Sequence, residues 1–217
     1  MIFADRYDAG KRLADKLEPF RSQETIVMAI PRGGVPIGYE IAKKLKAPLD
    51  LIIPRKLPIP YNPEAGFGAI APDGTIVLNE QMLQYLDLPQ KVIDDIANDV
   101  LKEVRRRLKA YRGDRPMPDF KNKIVIIVDD GLATGYTMIA AVRAIKKQSP
   151  KKVIVAIPVS PESSMLLLRR EADEVVSLYV QKYGSFAVAS FYESFPDLTD
   201  REVQDLMINA PAAASPS

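Results

Sequence analysis

Two residue types that carry much of enzyme chemistry are missing from this sequence. There is no cysteine, so disulfides, thiolate nucleophiles and thiolate zinc sites are excluded. There is also no histidine, which removes the commonest general base and the commonest ligand of transition metals. Any chemistry must therefore come from carboxylates, lysines, tyrosines and hydroxyl groups.

The sequence also lacks a long apolar segment and a large excess of charge. No segment reaches the roughly 18 uninterrupted apolar residues that a membrane span needs. The amino-terminal segment is charged and amphipathic, without the apolar centre of a signal peptide. The net charge of +2 is too small to indicate a nucleic-acid or membrane partner by itself. We therefore expect a cytoplasmic protein that does not contact a membrane.

Short apolar runs rich in β-branched residues alternate with helix-length patterns along the chain. The runs are 25–30, 49–53, 124–128, 153–159 and 174–180, and the helical patterns include 35–46, 137–148 and 161–172. Such alternation is typical of strand–helix–strand crossover units. The near-continuous apolarity of the runs fits strands that are covered on both faces. The sequence thus predicts an α/β fold, a parallel sheet flanked by helices.

The middle of the chain, residues 55–120, interrupts this alternation. The proline-rich stretch PRKLPIPYNPEAG indicates a long loop, and a hairpin through Asp73-Gly74 follows it. A long helix is predicted over about 90–112. We interpret 55–120 as an inserted hood or flap within a single domain of residues 1–209.

The end of the chain has two recognisable signals. Thr199 and Glu202 have the spacing of a capping box, which predicts a last helix of about ten residues. The small, proline-bearing residues 210–217 predict a disordered tail.

Asp129 and Asp130 directly follow the apolar run 124–128. The carboxyl ends of parallel strands are the usual ligand site of open α/β folds. The next residues are small or carry hydroxyls, and a helix beginning near Thr137 would add amide donors and a positive dipole end, which suit a phosphate. The neighbouring carboxylates suit vicinal hydroxyls, so a ribose 5-phosphate fits both requirements.

The stretch VIIVDDGLATGYTM resembles the phosphoribosyl-diphosphate (PRPP) binding motif of type I phosphoribosyltransferases. The resemblance implies that Asp129 and Asp130 hold the ribose hydroxyls, are catalytic, and meet a Mg²⁺ ion only through ligand and water. It also implies that a short loop encloses the 5-phosphate, formed by Ala133, Thr134, Gly135, Tyr136 and Thr137. An acidic pair with a structural or Mg²⁺-only role, as in receiver domains, is the alternative.

Two other segments extend the resemblance. Arg32, Gly33 and Gly34 follow the run 25–30, where the family has its pyrophosphate loop, and the glycines could adopt positive φ and expose their amides. Arg55 and Lys56 follow another strand end, where the resemblance implies a basic catalytic residue and a flexible lid. We favour Lys56 over Arg55. A tight turn and a solvated basic pair are the corresponding alternatives.

The acceptor side resembles the family less closely. The stretch SFAVASFYESFPDL loosely resembles the base-binding segment of hypoxanthine-type enzymes, so Phe186 is a candidate stacking residue and Val188 a candidate backbone contact. Aromatic residues at this density also fit a core. Ala133 stands where several purine-type relatives have an aspartate. The acceptor base therefore stays open.

A basic run favours a different class of function. Residues 102–115 carry seven cations, and on a helix Arg105, Lys109 and Arg112 would line one face that could contact nucleic-acid phosphates. Acidic residues precede them along the helix, as the macrodipole favours, so a solvated helix is the stronger interpretation.

We expect transfer of the phosphoribosyl group from PRPP to a purine or pyrimidine base, with Mg²⁺ and release of pyrophosphate. The resemblance also implies a homodimer. A PRPP-sensing, nucleic-acid-binding regulator and a phosphosugar hydrolase remain alternatives.

Overall fold

The computed structural model describes residues 2–21 and 23–211, and strands and helices alternate along most of this range. The elements are α1 (Arg6–Lys16), β1 (Thr25–Ala29), α2 (Gly34–Leu45), β2 (Leu49–Leu51), β3 (Arg55–Ile59), β4 (Asn62–Ile70), β5 (Ile76–Leu78), α3 (Glu80–Leu86), α4 (Gln90–Arg112), β6 (Ile124–Val128), α5 (Tyr136–Lys146), β7 (Lys152–Pro161), α6 (Glu162–Leu168), β8 (Glu174–Gln181) and α7 (Asp200–Asn209). Short 3₁₀ helices span Glu18–Phe20 and Val188–Phe191.

Five of the strands form a parallel sheet in the order β2-β1-β6-β7-β8. Successive side chains of a strand point to opposite faces. In β1, Val27 and Ala29 belong to one apolar cluster, together with α1, α2, α4 and α7. Ile26 and Met28 belong to a second cluster, together with α5 and α6. Both faces of the sheet are covered, so the predicted α/β fold with flanking helices is confirmed.

The region 55–120 begins with a second, antiparallel sheet in the order β3-β4-β5. The predicted hairpin through Asp73-Gly74 joins β4 to β5, with Gly74 at φ +89°. The long loop predicted from the prolines is wrong, because β3 pairs with β4 in a hairpin. The prolines are tolerated because β3 is an edge strand and its register shifts on both sides of Pro58.

Helices α4 and α7 agree with their sequence signals. Helix α4 has the predicted bounds. Its Val104 belongs to the same apolar cluster as Leu57 of β3. Helix α7 begins with the predicted capping box, in which Thr199 Oγ1 accepts from Glu202 N (3.2 Å) and Glu202 Oε2 accepts from Thr199 N (2.7 Å).

The predicted disordered tail begins with two residues that the structure places. The carbonyl of Pro211 accepts a hydrogen bond from Leu49 N (3.0 Å), and Ala210 packs against the core. The rest of that segment, 212–217, lies outside the described residues. Across the described ranges no helix combines the length and apolarity that a membrane crossing requires.

Candidate active site

The carboxyl ends of β1 and β6 lie side by side where the strand order reverses. From β1 the chain passes outward to β2, and it later returns to β6 on the other side of β1. Ala29 and Val128 are register partners, and Ile30 N donates to the Val128 carbonyl (2.9 Å). A crevice at such a switch point is the usual ligand site of an open α/β sheet. The loop after β1 and the acidic pair after β6 therefore face each other.

Asp129 and Asp130 are both partly buried at this crevice. Asp130 N donates to Asp129 Oδ1 (2.8 Å). Burial, and then the neighbouring charge of Asp130, raise the pKa of Asp129 well above its ordinary value. Burial also raises the pKa of Asp130, against the opposing effect of Arg6. Two anions this close favour a ligand that supplies hydrogen-bond donors.

Arg6 pairs with the acidic pair, and sequence reasoning missed it. Its Nε donates to Asp130 Oδ2 (2.9 Å), its Nη1 donates to the Pro196 carbonyl (2.7 Å), and its guanidinium lies 3.7 Å from the centre of the Phe195 ring. Arg6 and Asp130 are 124 positions apart in sequence. The available signal was an arginine in the first turn of a helix, where the macrodipole disfavours a cation.

The loop after β1 touches Asp130 through a glycine. A Cβ added at Gly33 would lie 1.9 Å from Asp130 Oδ2, and one at Gly34 would lie 2.6 Å from the Val128 carbonyl oxygen. The positive φ predicted for these glycines is wrong, because Gly33 has φ −61° and Gly34 is the first residue of α2. Lack of space, rather than backbone conformation, requires glycine here. Arg32, in the same loop, follows a cis peptide bond and lies 3.7 Å from Asp200.

The segment 133–137 turns directly into helix α5. Gly135 adopts φ +84° and precedes the first helical residue, Tyr136, so the helix begins one residue earlier than predicted. Ser164 of α6 fixes the turn by donating its hydroxyl to the Ala133 carbonyl (2.7 Å). The first amides of α5 have no intrahelical acceptor, which makes this turn suitable for an anion. Tyr136 packs against the apolar cluster beside α5.

Comparison with known proteins assigns this fold to a family. The profile of the phosphoribosyl transferase domain matches residues 71–189, more than half of the chain. The chain belongs to the phosphoribosyltransferase family. This finding confirms the family resemblance drawn from the acidic motif.

The chain is similar to a solved structure and to a curated relative over most of its length. The crystal structure of TT1426 from Thermus thermophilus is 35% identical, covers 98% of this chain and 100% of that chain, and superposes with a TM-score of 0.80. "Putative phosphoribosyl transferase Rv0571c" of Mycobacterium tuberculosis (strain ATCC 25618 / H37Rv) is 39% identical over 202 residues, or 93% of this chain. The chain spans 45% of the length of that relative, a little under half.

The basic residues expected near the pyrophosphate, Arg55 and Lys56, lie on β3. Lys56 Nζ donates to the Glu64 carbonyl across the β3–β4 hairpin (2.6 Å), and Arg55 lies 3.3 Å from Glu103 of α4. Within 2–21 and 23–211, neither side chain pairs with Asp129 or Asp130. The segment predicted as a flexible lid is this hairpin.

The two candidate base contacts differ in their position. Val188 lies over the acidic loop, because a Cβ added at Gly131 would be 2.6 Å from Val188 Cγ1. Phe186 is partly buried in an aromatic cluster, with its ring centre 5.3 Å from that of Phe191. The structure thus brings Val188 to the loop that follows the acidic pair, and gives Phe186 a packing role.

The basic helix does not have the exposed cationic face that the sequence predicted. Arg112 is buried and forms a bidentate ion pair with Asp50 of β2 (2.6 and 2.7 Å), so its placement on a nucleic-acid-binding face is wrong. The helical pattern showed which residues share a face but not that β2 covers its end.

The exposed part of the same helix is partly neutralised. Glu103 accepts hydrogen bonds from Arg106 and Arg107, which lower its pKa to about 2. Lys102 pairs with Asp99 (2.9 Å). Arg115, which lies beyond the end of the helix, donates to the Arg112 carbonyl (3.1 Å). Arg105 and Lys109 stay exposed.

Proposed function

We propose that this chain transfers the 5-phosphoribosyl group from PRPP to a nitrogenous base, a purine or a pyrimidine, and releases pyrophosphate. The observation that carries the proposal is the acidic pair Asp129–Asp130 at the switch point, directly before the turn 133–137 and helix α5. A ribose 5-phosphate needs hydroxyl acceptors next to a phosphate site, and these elements lie in that order.

Each part of PRPP has a candidate partner. The ribose 2- and 3-hydroxyls would donate to Asp129 and Asp130. The 5-phosphate would accept from the amides and hydroxyls of 133–137, at the positive end of α5. The diphosphate would lie along the loop of Arg32, Gly33 and Gly34, where Arg32 supplies a cation.

The reaction is a displacement at the anomeric carbon. A nitrogen lone pair of the base forms the new C–N bond while the C–O bond to pyrophosphate breaks. Positive charge develops on the sugar and negative charge on the leaving group, so cations beside the diphosphate stabilise the transition state most. Arg32 supplies one such charge, and the β3–β4 hairpin with Arg55 and Lys56 is the candidate lid that adds others.

The residues present fit a Mg²⁺ ion bound chiefly through its ligand. Mg²⁺ prefers oxygen ligands and keeps several waters. Over the described parts of the chain there is no cluster of three or more His, Cys, Asp or Glu that could hold a metal. The acidic pair offers two carboxylates, and PRPP and water would supply the other oxygens. When bound, the ion would neutralise charge on the diphosphate.

The same proposal extends to the setting of the reaction. We infer a homodimer, as the family resemblance implies, that acts in nucleotide metabolism in the cytoplasm. Light scattering of the purified protein measures the dimer independently of activity.

The test is pyrophosphate release from PRPP and Mg²⁺ with a panel of purine and pyrimidine bases. We expect release that depends on one base and that falls about a hundredfold or more in Asp130→Asn. The exposed Asp205→Asn, on helix α7, is the matched control and should retain full activity.

Other outcomes would contradict the proposal. Release of pyrophosphate without any base would favour the hydrolase. PRPP binding without turnover, together with nucleic-acid binding that weakens steeply with salt, would favour the regulator.

A further inference from the structure

Arg6 is anchored on three sides beside the acidic pair. Its side chain is only 8% exposed, and that of its partner Asp130 is 16% exposed. One guanidinium edge reaches Asp130 Oδ2, another atom reaches the Pro196 carbonyl, and the Phe195 ring covers its face. A planar guanidinium held this way has little freedom to turn.

Asp130 is in turn restrained at its main-chain carbonyl and at its carboxylate. Tyr192 Oη donates to the Asp130 carbonyl (2.6 Å), and Arg6 holds the carboxylate at Oδ2 (2.9 Å). Gly33 packs against the same Oδ2. These contacts restrict rotation of the Asp130 carboxylate.

The segment before α1 and the segment 191–194 bring these partners together. Phe3 N donates to the Phe191 carbonyl (3.0 Å), and Glu193 N donates to the Phe3 carbonyl (2.9 Å). The rings of Phe3 and Tyr192 pack with their centres 5.4 Å apart. This pairing places the start of α1 beside the segment that carries Tyr192 and Phe195.

We propose that Arg6 is a positioning residue for PRPP, which orients the Asp130 carboxylate and offsets its charge so that the acidic pair can receive the ribose. The role rests on the proposed function and adds the amino-terminal helix to the site. Two adjacent carboxylates repel each other, and a buried carboxylate that loses its cation is left uncompensated. Loss of Arg6 should therefore act on PRPP and not on the base.

Calorimetric titration of PRPP with Mg²⁺ tests this role. We expect Arg6→Met to weaken PRPP binding about tenfold or more, by analogy with the loss of residues that orient the ligands of a metal site. Arg6→Lys should lie between, because it keeps the charge but loses the fork. In steady-state turnover the KM for PRPP should rise in Arg6→Met, while the KM for the base stays unchanged.

Arg112→Met is the control, because Arg112 is also buried and also paired with an aspartate, Asp50, away from the acidic pair. It should lower the melting temperature but leave PRPP affinity as in wild type. Tyr192→Phe removes the hydroxyl that holds the main-chain carbonyl of Asp130, and it tests whether the position of Asp130 controls PRPP binding if Arg6→Met does not fold. It should weaken PRPP binding several-fold.

Three results would overturn the role. Wild-type affinity for PRPP in both Arg6→Met and Tyr192→Phe would overturn the role of Arg6 and leave the proposed function standing. Equal loss of affinity in Arg112→Met would assign the effect to general stability. Absence of PRPP binding by the wild type would overturn the proposed function, and this role with it.

Discussion

At the scale of single residues, the space around Asp130 determines what the site can hold. Gly33 lies against its carboxylate, so any larger residue at 33 must displace it. Because Gly33 has φ −61° and ψ −35°, alanine would be acceptable to the backbone. Any effect of alanine at this position therefore comes from contact with the side chain of Asp130.

Gly33→Ala is expected to weaken PRPP binding about tenfold or more, because a displaced carboxylate loses both Arg6 and its productive geometry. Calorimetric titration measures the affinity. Thermal unfolding in a double-mutant cycle provides the control: in an Asp130→Ala background the atoms that the new Cβ meets are absent, and the added destabilisation should shrink. Equal destabilisation in both backgrounds would refute the steric explanation.

The raised pKa of Asp129 predicts a dependence of stability on pH. The folded protein binds a proton at Asp129 more tightly than the unfolded chain, whose Asp pKa is about 3.9. The free energy of unfolding should therefore fall as the pH rises from that value through the raised pKa. Asp129→Asn removes this loss and can keep the hydrogen bond from Asp130 N.

Asp129→Asn should accordingly be more stable than wild type at pH 8, and the difference should shrink as the pH approaches 4. Urea unfolding across this range measures it, with Asp205→Asn as the exposed control. Parallel pH profiles for wild type and Asp129→Asn would show that burial of the acidic pair does not determine this part of the stability.

Sequence reasoning found the acidic pair but not the residues that hold it. Asp129 and Asp130 follow an apolar strand and precede a helix, and these local relations are visible in the sequence. Arg6 and Tyr192 reach Asp130 because the segment before α1 pairs with residues 191–194. No pattern of spacing records such a contact.

At the scale of elements, the end of helix α4 is fastened to β2 by a buried ion pair. Arg112 is 4% exposed in its side chain and Asp50 is 14% exposed. Arg112 also donates to the carbonyls of Arg115 and Pro116. The pair joins the inserted region to the outer strand of the parallel sheet.

Arg112→Met should lower the free energy of unfolding by about 3 kcal/mol or more, because it leaves Asp50 buried without its cation. Denaturant unfolding measures the loss. Lys102→Met, at an exposed pair on the same helix, should change stability by about 0.5 kcal/mol or less. Similar effects of the two substitutions would show that the buried pair does not fasten the helix.

The elements were predicted where a local sequence pattern specifies them and missed where it does not. The parallel strands are short apolar runs and helix α4 is a long helical pattern, and the structure contains them. Strand β3 carries Pro58 and stands beside Pro60, and prolines are turn signals in sequence. They fit a strand here only because β3 lies at an edge, which is a property of the assembled sheet.

At the scale of the whole molecule, strand order brings the acidic pair and two loops that are proposed to bind PRPP together at the carboxyl ends of the inner strands β1 and β6. The acidic pair, the turn into α5 and the loop after β1 meet where the order reverses between β1 and β6. The amino-terminal helix, through Arg6, and the segment after β8, through Tyr192, contact Asp130 at the same place. The family fold alone does not choose an acceptor base, because the base side depends on residues outside this motif.

Calorimetric titration of PRPP with Mg²⁺ into wild type and into Asp129→Asn/Asp130→Asn tests the central claim most directly. The proposed site predicts saturable binding by wild type and its loss in the double variant, since both proposed acceptors of the ribose hydroxyls are replaced. Absence of binding by wild type, or unchanged binding by the double variant, would contradict the assignment of the acidic pair to PRPP.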